Sequence, residues 1–488
     1  MTTAKLNQHT VEKIGGTSMS RVEEIFENLL IGEREGDDLY NRVFVVSAYG
    51  GMTDCLLEHK KSEKPGVYAL YADSESDWAW GDALSDVAAM MRAKNADIFD
   101  TTADLQMANH FIDDRIEGTR SCLVDLHRLC SYGHFQLAEH LATVREMLSA
   151  LGEVHSAYNT ALLLNRRGVD AVFIDLSGWR GQDGLDLDAR INTAFEDIDF
   201  ATQLPIVTGY AQSQDGLMKH YGRGYSEVTF SRVACLTKAR EAIIHKEFHL
   251  SSADPKMVGE ENVRVIGETN YDVADQLSNL GMEAIHPRAA KGLRQLSIPL
   301  RIANAFEPKH PGTVIRDEFK TQTPRPEIVT GLPRLYEVEI FNQDMVGTFG
   351  GDRAIIDVFA RFKIHTVTKS LNANTITHYV SAPSKQVRRC VEALQAELGN
   401  DAVVQTQKVS LVSVIGSNMG CQTYFPKSVM ALHEADIETL FCSAPSRNVD
   451  MQFVVHEKDF TSAIKVLHDL LVSGEQDQNT SSHRAAAE

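Results

Sequence analysis

Hydrophobic and polar positions alternate over the first two thirds of the chain in a pattern typical of interleaved strands and helices. Short apolar runs predict buried strands at 43–49, 169–175 and 205–210. Apolar residues recur every three or four positions over 137–151, which predicts a helix. Residues 58–136 are also mainly helical in pattern, and one face there carries Leu84, Val87, Ala88 and Met91. The alternation predicts an α/β sandwich with a largely parallel sheet over residues 8–315.

A different pattern follows residues 316–334, a segment rich in Pro, Thr and charge that predicts a linker. Strand, helix and strand patterns come next, and the same plan then repeats once. This weak duplication predicts two small α+β modules at 335–403 and 404–475. Residues 476–488 are polar and low in complexity, which predicts a disordered tail.

The charge balance argues against several classes of partner. The 488 residues include 48 Lys and Arg against 67 Asp and Glu, for a net charge of −19. Nucleic acids and anionic membrane surfaces both require positive charge, so we expect neither as a partner. No apolar run reaches membrane-spanning length and no signal core begins the sequence, which predicts a cytoplasmic protein. The seven cysteines are scattered without a CxxC pair, which predicts reduced thiols.

The first candidate site is VEKIGGTSMS near the N-terminus, where a strand pattern leads through two glycines into a helical pattern. Gly15 and Gly16 would let backbone N–H groups approach a phosphate, and Thr17 or Ser18 could cap the helix. Lys13 would add a positive charge. A glycine turn beside a surface lysine explains the same residues, and the spacing of a Walker P-loop is absent.

Further candidates follow other predicted strands and loops, at places where α/β folds bind ligands. Ser47 and Thr53 flank a glycine pair after the first apolar run. Glu153 could receive a substrate ammonium group, or simply occupy the first turn of a helix. Arg223 lies between two glycines and could bind a carboxylate through its planar guanidinium.

The segment AIIHKEFHLSSADPKMVG, at 242–259, begins like a strand and continues into a loop that suits the edge of a nucleotide. His245 and His249 are four residues apart, a spacing that invites a metal site. The HExxH order is missing and the flanking residues indicate a strand, so we predict no protein metal site there.

Taken in order, these motifs resemble those of the aspartokinases in the amino-acid kinase family. Seven motifs of the family resemble segments of this chain. K-F-G-G-T-S resembles residues 13–18, V-S-A-x-x-G-x-T-[DN]-x-L-L residues 46–57, S-x-G-E residues 149–153 and G-R-G-G-S-D residues 222–227. D-P resembles residues 254–255, H-P residues 286–287 and N-x-F-x-P-x-x-P-G-T-x-I residues 304–315. The two C-terminal modules resemble tandem ACT domains, and the resemblance covers about residues 8–475. Three segments look like those of the aspartokinases encoded with ectoine biosynthesis, namely KIGGTSMS, GRGYSE and HKEFHLSSADP.

The resemblance implies an amino-acid kinase fold and transfer of a phosphoryl group from ATP, with Mg²⁺, to the side-chain carboxylate of L-aspartate. It implies that Lys13 and Glu227 are catalytic. It implies that aspartate is bound by Ser47, Thr53, Glu153, Arg223 and Ser226. The nucleotide-binding residues would be Lys13, Gly15, Gly16, Thr17, Ser18, His245, Lys246, Ser251 and Lys256. A homodimer or larger homo-oligomer through the ACT-like modules, and a product that supplies ectoine synthesis, are implied as well.

Three departures from the family pattern stand out. Glu227 replaces an Asp, Tyr225 replaces a Gly, and residues 245–249 replace the nucleotide-binding stretch T-D-V-D-G. These changes concern the nucleotide contacts more than the aspartate site. Two alternatives stay open, namely a related kinase that acts on glutamate, acetylglutamate or a nucleotide, and a catalytically silent regulator that binds amino acids.

Overall fold

The computed structural model describes residues 7–59, 62, 64–73, 78–181, 184–282, 285–345 and 352–473. These residues form two compact units. The first unit contains the described residues up to His249 together with Ile285–Asp317, and the second contains the other described residues. The tail predicted to be disordered, 476–488, lies outside the described residues.

The described residues form fourteen strands, numbered in chain order. They are β1 (Thr10–Ile14), β2 (Arg42–Val46), β3 (Ala171–Ile174), β4 (Leu204–Thr208), β5 (Glu241–Lys246), β6 (Glu268–Asn270), β7 (Leu300–Asn304), β8 (Thr313–Arg316), β9 (Ile328–Asn342), β10 (His365–Leu371), β11 (Thr375–Ser381), β12 (Ala402–Ile415), β13 (Thr439–Ser443) and β14 (Asp450–His456).

Seventeen α-helices are numbered in the same way within the described residues. They are α1 (Gly16–Met19), α2 (Val22–Ile25), α3 (Met52–Leu56), α4 (Val67–Asp73), α5 (Ala79–Ile98), α6 (Thr102–Ser131), α7 (Leu137–Arg166), α8 (Leu187–Phe195), α9 (Leu217–Tyr221), α10 (Tyr225–Leu236), α11 (Pro255–Val258), α12 (Tyr271–Asn279), α13 (Pro287–Gln295), α14 (Arg353–Arg361), α15 (Ser384–Leu398), α16 (Cys421–Glu434) and α17 (Phe460–His468). None of the described helices is both long enough and apolar enough to cross a membrane.

The first unit is built on a largely parallel sheet, which confirms the predicted α/β sandwich. Its seven strands run in the order β3-β4-β2-β1-β5-β7-β8, and the last pair, β7 with β8, is antiparallel. Every residue of β1, β2 and β4 is buried, as expected for strands covered by helices on both faces. Because parallel strands end at the same edge, the loops that follow β1, β2, β4 and β5 come together there.

Two of the helical predictions are confirmed in detail. The apolar face expected between residues 58 and 136 is the buried face of α5, where Leu84, Val87, Ala88 and Met91 are all buried. The helix predicted at 137–151 is the first half of α7, which runs on to Arg166. Residues 149–157 of α7 are buried on every side, so this stretch passes through the core of the unit.

The second unit contains the predicted duplication. Each module follows the plan strand, helix, two strands, helix, first as β9-α14-β10-β11-α15 and then as β12-α16-β13-β14-α17. The modules share one antiparallel sheet in the order β10-β11-β9-β12-β14-β13, with β9 and β12 paired at its centre. Strand β9 already begins at Ile328, inside the segment predicted to be a linker.

Residues from Leu250 to Met282 belong to the same unit as these modules. Hydrophobic side chains of this segment, among them Leu250, Val273 and Leu277, form one cluster with Leu335 of β9 and other residues of the shared sheet. The segment therefore packs with elements that lie far along the chain, a grouping that differs from the boundary at 315 predicted from the sequence.

Candidate active site

A buried ion pair lies at the end of the central strand β1. Lys13 Nζ is 3.2 Å from Glu227 Oε1, and both side chains are buried. Glu227 Oε2 accepts a hydrogen bond from the backbone N–H of His286 at 2.6 Å. Burial raises the pKa of Glu227, but the charges of Lys13 and Lys246 and the His286 N–H outweigh it, so the pKa lies below its ordinary value. Glu227 is therefore ionised and holds Lys13 in place.

A second carboxyl group, Glu153, lies close to the same lysine. It projects from the buried stretch of α7 and is only 2% exposed. Burial raises the pKa of Glu153 to about 8, although the Tyr225 hydroxyl, the Lys13 charge and the Ala48 N–H each act to lower it. Among the described residues, nothing hydrogen-bonds to Glu153 Oε2. A buried carboxyl oxygen left in this state can accept a hydrogen bond from a bound cation.

The unpaired oxygen lies against Gly209, which follows β4 and leaves no room for a larger residue, because a Cβ atom there would be 2.7 Å from the carbonyl oxygen of Val46. A Cβ atom built on Gly209 would lie 3.1 Å from Glu153 Oε2 and 3.0 Å from Ser226 Cβ. Ser226 Oγ lies 3.5 Å from Ser47 Oγ, at the end of β2. Side chains from α7, α10 and the loop after β2 therefore converge on one small polar region.

The turns that follow β1 and β2 are packed backbone against backbone. A Cβ atom on Gly16 would lie 2.7 Å from the carbonyl oxygen of Ala48, so only glycine fits without a shift. The N–H of Gly50 donates to Ser20 Oγ at 2.7 Å. This close approach brings the predicted phosphate-binding turn and the predicted acceptor loop side by side.

The hydroxyl groups of the glycine turn have different surroundings. Gly15 is extended and precedes the short helix α1, in which Thr17 is exposed. Ser18 is fully buried, and its Oγ donates to Glu247 Oε1 at 2.9 Å. The Ser18 hydroxyl thus links the end of β1 to the end of β5, while Thr17 faces outward.

Arg223 lies in a one-turn 3-10 helix, Gly222–Gly224, directly before α10. Its guanidinium donates to the Asp54 carboxylate and to the backbone oxygen of Glu58. Asp54 follows Thr53 in α3, at the N-terminal end of the helix after β2. Arg223 therefore reaches the loop that carries the predicted acceptor residues. A substrate carboxylate bound by Arg223 would share the guanidinium with Asp54 or displace it.

The side chain of His245 lies on the opposite face of the sheet from Lys13. Neighbours along a strand alternate between the two faces, which puts Lys246 on the Lys13 face and His245 on the Glu12 face. His245 Nε2 is 2.8 Å from Glu12 Oε2, and Arg42 Nε is 3.1 Å from Glu12 Oε1. Burial raises the pKa of Glu12, but Arg42 and His245 outweigh it and lower the pKa. The His245 side chain thus ties β5 to β1 through Nε2, and the role of His245 at the nucleotide stays a prediction.

The two remaining candidates for nucleotide contacts, Ser251 and Lys256, belong to the second unit. Ser251 Oγ donates to the carbonyl oxygen of Ala253 at 2.8 Å. The backbone N–H of Lys256 donates at 2.9 Å to Asp254, which caps α11. Their roles at the nucleotide stay predictions.

Carboxylates and imidazoles are not gathered into a metal site in the part of the chain that the structure describes. No group of three or more His, Cys, Asp and Glu side chains is placed there to hold an ion. His249, which is spaced four residues from His245, contacts Glu307 at 3.2 Å and packs 4.0 Å from the His310 ring.

Sequence reasoning missed two contacts of this site. Tyr225 was singled out only as a departure from the family pattern, yet its hydroxyl lowers the pKa of Glu153. Asp54 lies inside a quoted motif, yet its pairing with Arg223 was not foreseen. The replacement of a family Gly by the bulky Tyr225, directly after Gly224, was the one available signal.

Comparisons with known proteins identify the family of the chain. The model of the amino acid kinase family matches residues 8–304. The chain is 50% identical over 467 residues to the aspartate kinase Ask_Ect of Stutzerimonas stutzeri, covering 96% of this chain and 98% of that protein. It is 23% identical to an aspartokinase of Candida albicans, covering 95% of this chain and 90% of that protein.

A solved structure shows the same fold over nearly the whole chain. E. coli aspartokinase III in complex with lysine and aspartate matches with a TM-score of 0.72 and 16% sequence identity. The match covers 96% of this chain and 100% of that structure, so it includes the kinase-like unit and the C-terminal modules alike.

Proposed function

This chain belongs to the amino acid kinase family, and on that premise we propose that it is an aspartate kinase. It transfers the γ-phosphoryl group of ATP to the side-chain carboxylate of L-aspartate and forms 4-phospho-L-aspartate. The 50% identity to an aspartate kinase over almost the full length of both proteins supports this activity. The observation in the structure that carries it is the unpaired Oε2 of Glu153 beside the Lys13–Glu227 pair.

The two carboxyl groups near Lys13 suit two different tasks, because their surroundings move their pKa values in opposite directions. Glu227 is kept ionised and orients Lys13. Glu153 is left with an open oxygen and is stabilised as a carboxylate only when a further positive charge arrives. The α-ammonium group of an amino acid supplies that charge, which would place aspartate beside Glu153, Ser226 and Ser47.

The chemistry needs positioning and positive charge more than a base. A free carboxylate has a pKa of about 4 and is already ionised at neutral pH, so no residue has to remove a proton. The obstacle is repulsion between this carboxylate and the triphosphate. Lys13 can stabilise the charge on the transferring phosphoryl group, and Arg223 can hold the α-carboxylate of aspartate. Thr53 borders the acceptor on the side of α3.

Mg²⁺ is expected to enter the site with ATP. Magnesium keeps several waters and is usually held by one or two carboxylates together with substrate phosphates, so a dedicated protein cage is not needed. The ionised Glu227 is the carboxylate that would fit this role here, through the water shell of the ion. Bound Mg²⁺ would neutralise phosphate charge. Gly15, Gly16 and Lys246 are the proposed contacts on the phosphate side.

We also propose a homo-oligomer formed through the ACT-like modules, and a product that feeds ectoine synthesis. The first rests on the resemblance of the modules to tandem ACT domains, which often pair between subunits. The second rests on KIGGTSMS, GRGYSE and HKEFHLSSADP, and on the likeness to the relative named Ask_Ect.

A panel of acceptors tests the proposed substrate against the related kinases. ADP release, measured by a coupled assay, should require L-aspartate and should be at least about tenfold slower with L-glutamate. N-acetyl-L-glutamate lacks the ammonium group that Glu153 would bind, so it should give no activity. Equal rates with the acetylated acceptor would contradict the role of Glu153. A wild-type protein that binds no ATP·Mg²⁺ in titration calorimetry would support the silent regulator instead.

Replacement of Lys13 by alanine should lower kcat by about 10²–10³-fold and change the KM for aspartate much less. The physical reason is that the charge on the phosphoryl group develops in the transition state. The matched control is Lys309→Ala, because Lys309 is an exposed lysine of the same unit paired with Glu33. Turnover of Lys13→Ala at the wild-type rate would remove Lys13 from the mechanism.

Replacement of Arg223 by lysine should raise the KM for aspartate by about tenfold, because a lysine keeps the charge but loses the planar, two-pronged contact. The KM for ATP should stay close to that of the wild type. Arg92→Lys, at an exposed ion pair with Asp113, is the control and should be silent. A weakened ATP saturation with an unchanged aspartate saturation would show that Arg223 serves the nucleotide.

The pH dependence of kcat/KM for aspartate should report the pKa of Glu153. Below about pH 8 the free enzyme holds this group protonated, so it binds an ammonium group poorly, and kcat/KM should rise about tenfold per pH unit. Above about pH 8 it should level off. In the pH profile of kcat the rising limb should lie at lower pH, because the ammonium group of bound aspartate favours the charged form of Glu153. Glu153→Gln should lose the limb, and a flat wild-type profile from about pH 6 to 8 would contradict the assignment.

A further inference from the structure

Tyr225 occupies the first position of α10, between the Arg223 turn and Glu227. Its side chain is 2% exposed, which is unusual for a polar group beside a substrate site. The ring packs edge to face against Tyr210, with the ring centroids 5.5 Å apart. This packing fixes the direction of the Tyr225 ring and therefore the place of its hydroxyl group.

The Tyr225 hydroxyl acts on Glu153 as a donor and lowers the pKa of that carboxyl group. Burial, together with the nearby Glu153 carboxylate, raises the pKa of Tyr225 well above its ordinary value. The phenol therefore keeps its proton and acts as the donor, and the carboxylate accepts. Three groups act on Glu153 from the elements packed around it, namely Tyr225 from α10, Lys13 from β1 and the Ala48 N–H after β2. Tyr210, after β4, faces the same carboxyl group, whose charge raises the pKa of Tyr210, but Tyr210 is not among the groups that lower the pKa of Glu153.

The neighbouring tyrosine shows what a purely structural version of this contact looks like. Tyr210 donates its hydroxyl proton to Glu146 Oε2 at 2.8 Å, two turns before Glu153 on α7. Glu146 also accepts the backbone N–H groups of Met218 at 3.0 Å and Lys219 at 2.8 Å, so both of its oxygens are satisfied. Glu153, in contrast, keeps Oε2 without a hydrogen-bond partner among the described residues, beside Gly209.

We propose that Tyr225 is a positioning residue for the amino-acid substrate. Its hydroxyl holds the Glu153 carboxylate so that the unpaired Oε2 lies beside Gly209 and Ser226. The ligand received there is the α-ammonium group of the acceptor. This inference rests on the proposed function, because it assigns Tyr225 to the aspartate site of that reaction.

Two consequences separate this role from mere packing. Loss of the hydroxyl removes one of the influences that favour the charged form of Glu153, so the carboxyl group should ionise at higher pH. The effect should be confined to aspartate binding, because none of the polar and ring contacts of Tyr225 among the described residues involves Lys13. The KM for aspartate should therefore change while kcat at saturation and the KM for ATP do not.

The test is the pH profile of Tyr225→Phe, measured as kcat/KM for aspartate in the full-length enzyme. The midpoint of the rising limb should move to higher pH, and the KM at pH 7 should rise about two- to tenfold, the effect of one hydrogen bond. Above the limb, kcat should remain within about twofold of the wild type. Tyr210→Phe is the matched control, since it loses an equivalent hydroxyl that serves Glu146, and its midpoint should not move.

An unchanged midpoint together with an unchanged KM in Tyr225→Phe would overturn the proposal, as would an equal shift in Tyr210→Phe. If Tyr225→Phe failed to fold, 3-fluorotyrosine at position 225 would serve, because fluorination makes the phenol a stronger donor with little change in shape. Its midpoint should then move to lower pH, and no movement would refute the role of the hydroxyl. A wild-type enzyme without aspartate-dependent activity would instead refute the proposed function.

Discussion

The interaction on which the site depends is the charge of Lys13 held between two buried carboxyl groups. Glu227 lies 3.2 Å from the ammonium group and is kept ionised by it, by Lys246 and by a backbone N–H. Glu153 feels the same charge, but burial prevails and its pKa stays at about 8. Lys13 therefore stabilises the charged form of Glu227, whereas Glu153 needs a further positive charge. The ammonium group of an amino-acid substrate can supply that charge.

The surrounding fold makes this arrangement rigid. Strand β1 is buried throughout and lies between β2 and β5, so Lys13 emerges from a fixed backbone. On the other face of the same strands, Glu12 binds Arg42 and His245, a buried network that ties the three strands together. The glycines at the strand ends then allow the loops to approach closely, as Gly16 does against Ala48. The polar groups are thus positioned before any substrate arrives.

The architecture could be predicted because periodicity records which face of an element is buried. The apolar stripe of α5 and the strands after residues 43, 169 and 205 followed directly from spacing. The duplication in the C-terminal modules was visible as a repeated plan. Periodicity does not show which distant element packs against that buried face. The packing of residues 250–282 with the modules therefore escaped prediction.

The site residues could likewise be predicted only in part. The grouping of Lys13, Glu153 and Glu227 was implied by resemblance to a family, and the structure brings these residues together. The direction of a side chain from a strand was harder to foresee, and His245 faces Glu12 instead of Lys13. The contacts of Tyr225 with Glu153 and of Arg223 with Asp54 join residues far apart in the chain, and no local pattern encodes such pairs.

Trapping of the product with hydroxylamine tests the central claim most directly, because an acyl phosphate reacts with hydroxylamine to give a stable hydroxamate. Purified protein with ATP, Mg²⁺ and L-aspartate should form aspartyl hydroxamate in step with ADP, and omission of either aspartate or ATP should abolish it. ADP release without hydroxamate, or no reaction of any kind with aspartate, would contradict the account.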